Sequence, residues 1–142
     1  MTFVIEPYVG AIPLRFGMSP EEVAAEIGPP TKLLPDPFGN RSESRQNLSL
    51  GYAGEDNTLN EAVFSPGTNL YFRGHDLFST KAPIALLRQY DPEPQLWVGM
   101  VIFVQLGIRL SGFHDGDEPQ RAIGVVKRGY WDEYVEDFKP FK

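Results

Sequence analysis

Gly17-Met18-Ser19-Pro20-Glu21-Glu22-Val23-Ala24-Ala25-Glu26-Ile27-Gly28-Pro29-Pro30 reads as one short helix with both of its ends written in the sequence. Ser19 carries the short side-chain oxygen that caps a helix, Pro20 suits the first helical position, and Glu22 stands three residues after the cap, as a capping box requires. Glu21 and Glu22 also complement the positive end of the helix dipole, which explains them without any catalytic duty. Val23, Ala24 and Ile27 supply an apolar stripe at helical spacing. Gly28 can take the left-handed ending conformation, and Pro29-Pro30 forbid continuation. Two turns of helix do not form alone in water. The stripe therefore needs a larger surface to dock on.

The sequence downstream supplies a sheet. Residues 31 to 46 read as a polar loop, broken by Pro35, Pro37, Gly39 and Asn40. Leu48, Leu50 and Tyr52 then alternate with Asn47, Ser49 and Gly51, the pattern of a strand with one buried face. After the polar turn Glu55-Asp56-Asn57-Thr58, a second strand covers Leu59 to Phe64 and a third lies near Asn69 to Phe72. A second helix is expected from a cap at Ser79 or Thr80, burying Ala82, Leu86, Leu87 and Tyr90 and stopped by Asp91-Pro92-Glu93-Pro94. Trp97 to Val104, Ile108 to Phe113 and Arg121 to Val126 follow as strands, with Gly116 in the last turn.

This order predicts a single α+β domain over residues 1–142: an antiparallel sheet of five to seven strands with two main helices on one face. Helix and three strands come twice, so a duplicated α-β-β-β unit, with pseudo-repeats at 10–74 and 75–129, is the second way to read the same order. Two independent domains would each have too little core.

Composition narrows the function classes. With 13 Lys plus Arg against 19 Asp plus Glu, the net charge of -6 repels phosphate backbones, so no nucleic acid is expected as a partner. The chain has no Cys, which removes disulfide scaffolds, cysteine-based zinc sites and thiol nucleophiles together. Met1 to Phe16 lacks the basic start and long apolar run of a secretory signal. The apolar run Leu96 to Leu106 is too short for a bilayer, so no membrane is expected and the cytoplasm is the expected compartment.

Candidates for chemistry are few. His75-Asp76 and His114-Asp115 carry the two imidazoles, which is the basis for reading the chain as a small enzyme using His75 and His114. Adjacent strand residues point to opposite faces, so neither pair chelates readily, and no metal or cofactor is expected. Asp115, Asp117 and Glu118 surround Gly116 without the ligand spacing of a calcium loop and read as a solvated turn. No serine sits in a nucleophile motif, and no glycine run forms a phosphate cradle. The segment Gly129 to Phe138 differs, mixing four aromatics with four acids. Aromatic anchors ringed by charge are the composition of a protein-binding hot spot. Trp131, Tyr134, Glu133 and Asp137 are therefore the expected protein-binding residues, with Asp115, Asp117 and Glu118 as a further acidic surface. The alternative is that Trp131 and Tyr134 cap one end of the core.

The run Gly10 to Val23, ending at Gly28-Pro29-Pro30, resembles the helix-plus-sheet module of bacterial outer-membrane-assembly lipoproteins and β-lactamase inhibitor proteins. Phe72-x-Gly74, Asp76-Leu77-Phe78 and Leu106-Gly107-Ile108-x-Leu110 further resemble small bacterial proteins, some of them of the toxin-immunity type. The chain departs from the lipoproteins in having no lipid-accepting cysteine, and from the secreted inhibitors in having no cysteines at all. The resemblance implies a non-catalytic protein-binding module, an immunity or inhibitor protein acting on a basic toxin or enzyme. A structural or regulatory subunit is the alternative, and an exposed edge strand leaves a homodimer open.

Overall fold

In a computed structural model the described residues are 1–35, 40–54 and 56–142. They form β1 (Thr2–Glu6), β2 (Gly10–Ile12), β3 (Leu14–Arg15), α1 (Pro20–Ile27), β4 (Lys32–Pro35), β5 (Arg41–Arg45), β6 (Leu48–Ala53), β7 (Thr58–Phe64), β8 (Asn69–Phe72) and β9 (His75–Asp76). The second half adds α2 (Pro83–Arg88), β10 (Gln95–Trp97), β11 (Met100–Phe103), β12 (Ile108–Ser111), β13 (Ala122–Val126) and β14 (Lys139–Pro140). Short 3₁₀ turns lie at Glu118–Gln120 and Val135–Asp137.

Helix α1 starts as its sequence dictates. The Glu22 amide donates to Ser19 Oγ at 3.2 Å, and the Ser19 amide donates to Glu22 Oε1 at 3.1 Å, closing the capping box. Gly28 ends it at φ 87°, a conformation that glycine reaches without a Cβ clash.

The fold class is α+β, with two sheets in place of the expected one of five to seven strands. Among the described residues the larger sheet has nine strands in the order β14-β10-β11-β12-β13-β7-β6-β5-β4, and the smaller has five in the order β3-β2-β1-β8-β9. Pairing is antiparallel except between β1 and β8, where Phe3 stands beside Leu70. Each helix is followed by a four-strand meander rather than three strands, and the meanders join edge to edge where β7 meets β13.

Three local expectations are corrected. The polar stretch 31–46 contains β4 and β5 among its described residues, while Pro37 and Gly39 lie outside them. Strand β5 buries a charge where alternating apolar residues would stand. Glu43 is only 1% exposed, and Arg45 Nη1 at 2.8 Å, the Tyr52 hydroxyl at 3.0 Å and Arg41 Nη2 at 2.9 Å surround its carboxylate. Arg45 also donates to the Gly28 carbonyl, tying the end of α1 to the sheet. Helix α2 starts at Pro83 with Ala82 as an unbonded cap, since Ser79 and Thr80 are already drawn into a turn on the Asp76 carbonyl. Trp97 to Val104 is a hairpin, not one strand, because Val98 and Gly99 both take positive φ at its tip.

Alternation along the strands gives the large sheet two buried faces. On one, Leu50, Phe64, Val101, Phe103, Ile108 and Val125 meet side chains of the small sheet and of both helices, including Phe3, Leu14, Val23 and Leu87. On the other, Ile102 and Val126 meet Trp131, with Tyr8, Trp97, Met100, Tyr130 and Phe138 around them. The C-terminal segment is therefore the cover of a second core.

Candidate functional site

The C-terminal segment leaves β13 and folds back as a chain of turns: the amides of Tyr130, Asp132, Tyr134 and Asp137 each bond a carbonyl three residues earlier. Its entry is held by a polar clamp. The Tyr130 hydroxyl donates to Glu61 Oε2 at 2.9 Å, and Arg109 Nη2 reaches the same oxygen at 2.6 Å. Gly124 makes this possible, because a Cβ there would stand 2.5 Å from Arg109 Nε and 2.8 Å from its Cγ. Burial, then the Glu61 charge and hydrogen bond, push the Tyr130 phenol up to about 12.

Trp131 is 4% exposed, beneath the segment and against Ile102 and Val126. It is therefore not the surface anchor that its acidic surroundings suggested. Its ring meets Tyr130 and Phe138 edge-on, with centroids at 6.2 and 6.3 Å. Tyr134 divides its surface: it stacks on Trp97 at 4.8 Å and 27°, yet remains 40% exposed. Val135 beside it is 44% exposed. Of the six residues 132–137, four are carboxylates, and Asp132, Glu133, Glu136 and Asp137 are all exposed without an ion-pair partner among the described residues.

Two neighbours extend this face. Val98 follows Trp97 at the hairpin tip, 71% exposed and at φ 43°, a conformation costly for a β-branched residue. A hollow of about 290 Å³ opens between Glu93, Val104, Val135 and Phe138. Asp91 also lines it and, though buried, has both oxygens occupied, accepting from the Glu93 and Gln105 amides at 3.2 and 3.1 Å.

Asp115, Asp117 and Glu118 are exposed in the β12–β13 turn. That turn adjoins Phe113, which packs on the first core, so it is built on different neighbours from residues 132–137. Its bonds are those of an ordinary turn: the Asp117 amide donates to Asp115 Oδ1 at 3.2 Å, and Glu118 lies 4.0 Å from Arg121. The histidines are not brought together as a pair on one element. His75 is exposed on β9 of the small sheet, whereas His114 follows β12 and meets the Phe141 ring edge-on at 5.6 Å. Neither imidazole bonds a carboxylate among the described residues, where no group of three or more His, Asp or Glu is placed to hold a metal.

Sequence reasoning missed Val98, Trp97 and the hollow, because they join residues 132–137 only through the fold. Among the described residues no helix is long and apolar enough to cross a membrane. Comparison of the chain with known families, curated proteins and solved structures finds no match in any of the three.

Proposed function

We propose that the protein is a non-catalytic binding module that docks a basic protein on the face made by residues 132–137. One observation carries this reading. Four unpaired carboxylates and the exposed edges of Tyr134 and Val135 are displayed on a segment fastened by its own aromatic core. A surface fixed before association loses little conformational freedom on binding, and its apolar centre can exclude water while its rim steers a cationic partner. Val98, 71% exposed and next to Trp97 of the Trp97–Tyr134 stack, supports it by adding apolar surface where a hairpin turn would take a polar residue or glycine. The resemblance of residues 10–30 to modules that bind proteins points the same way. An immunity or inhibitor role, covering the cationic cleft of a toxin or enzyme, is the finer form of the proposal. The twice-used order of helix and meander, with the meanders meeting at β7 and β13, fits a duplicated unit.

The test is affinity capture from the native host with the full chain and with a Glu133→Lys, Glu136→Lys, Asp137→Lys triple variant. A protein retained by the parent, released by salt and lost with the variant supports the reading. Equal retention by both refutes it.

A further inference from the structure

A cleft of about 430 Å³ opens between the start of α2, the end of β12 and the last residues of the chain, within the size range of roughly 300–1,000 Å³ usual for small-molecule sites. Lys81, Arg88, His114, Arg121 and Lys142 line it, and no described Asp or Glu does, although the chain carries 19 Asp plus Glu against 13 Lys plus Arg and Glu118 stands 4.0 Å from Arg121. Its apolar walls are the Phe113 and Phe141 rings and Ile84. The guanidinium of Arg121 lies 5.0 Å from the Phe113 centroid, and that of Arg88 lies 5.2 Å from the Phe141 centroid. Arg88 Nη2 also donates to the Phe141 carbonyl at 2.9 Å, which fixes its orientation.

Three nitrogens around this cleft are shielded from solvent yet have no hydrogen-bond partner: Arg88 Nε, Arg121 Nε and His114 Nδ1. Two are obligatory donors and the third is a donor in one tautomer. Native chains rarely leave buried donors unpaired, and here three belong to residues that line one cavity. A guanidinium edge matches a planar two-oxygen anion. A bare phosphate would set some of its oxygens against the phenyl walls, whereas an organic acid sets carbon there.

We propose that this cleft binds a small organic carboxylate, with its anion held by the cationic lining of Lys81, Arg88, Arg121 and Lys142 and its apolar body between Phe113, Phe141 and Ile84. The site is separate from the acidic face and does not rest on the protein-binding reading.

The test is titration of the full chain with benzoate and with hexanoate, read by heteronuclear NMR of the arginine Nε–H groups. Saturable shifts at Arg88 and Arg121 with either acid, and none with benzamide, are expected. Arg121→Gln should weaken the acid about tenfold, the usual effect of losing one charge-assisted hydrogen bond. That variant is chosen because Arg121 holds no backbone carbonyl among its hydrogen bonds, so the fold should survive. No saturable response to either acid, an equal response to benzamide, or inorganic phosphate binding as tightly as the acids would each overturn the proposal. The triple charge reversal at residues 133, 136 and 137 should leave the acid titration unchanged, so failure at one site is distinguishable from failure at the other.

Discussion

Replacing Trp131 separates a structural role from an interfacial one. The indole is 4% exposed and packs on Ile102 and Val126. An aromatic side chain of this kind buries about 200 Å², which at about 25 cal/mol per Å² is about 5 kcal/mol. Trp131 Nε1 has no hydrogen-bond partner, so removing the ring also relieves an unpaired buried donor costing about 1–3 kcal/mol. The balance for Trp131→Ala is a loss of about 3 kcal/mol, at the lower end of the usual range of about 3–5. For a chain of this length that corresponds to a fall of about 10 °C in Tm. Trp131→Phe keeps an aromatic ring and has no orphaned donor, so it should cost at least about 1 kcal/mol less than the alanine variant. Urea denaturation of the three proteins, with hydrogen exchange of residues 127–138, provides the assay. An alanine variant with unchanged midpoint and unchanged exchange would refute the placement of Trp131 as the floor of the C-terminal segment.

The capping box predicts that Ser19→Ala costs about 1 kcal/mol in chemical denaturation, since the Glu22 amide loses its Ser19 Oγ acceptor while the residue-19 amide keeps its bond to Glu22 Oε1. Tyr130 has a folded-state phenol raised to about 12, above the ordinary tyrosine range, so its stabilising contribution is complete below about pH 10 and is lost as pH rises towards 12. In a titration of phenolate absorbance, Tyr130→Phe should remove amplitude from the late phase; loss from the early phase instead would contradict the Glu61 clamp.

The parts of the fold legible in the sequence are those whose signals are local. Helix α1 carries its start, stripe and stop within residues 17–30, and β6 carries its alternation in Leu48, Leu50 and Tyr52. Strand β5 was illegible because Arg-Ser-Glu-Ser-Arg has no apolar face; its buried side is a carboxylate matched by arginines and by a tyrosine from the next strand. The small sheet depends on β1 pairing with β8 across more than sixty residues, which no local pattern announces. Trp131, Glu133, Tyr134 and Asp137 stand out by composition alone, but composition does not say which aromatic faces inward. Trp131 and Tyr134 are three residues apart, yet one is 4% and the other 40% exposed. The basic cleft draws on residues from Lys81 to Lys142 that only tertiary structure assembles.

The most direct measurement is the binding of the captured partner to the parent and to the Glu133→Lys, Glu136→Lys, Asp137→Lys variant, by calorimetry at low and high salt after circular dichroism shows both folded. These three carboxylates are exposed and unpaired, so their reversal should leave stability nearly unchanged while lowering affinity at least tenfold and flattening its salt dependence. Equal affinity and an equal salt slope for the two proteins would contradict the acidic face as the site of binding.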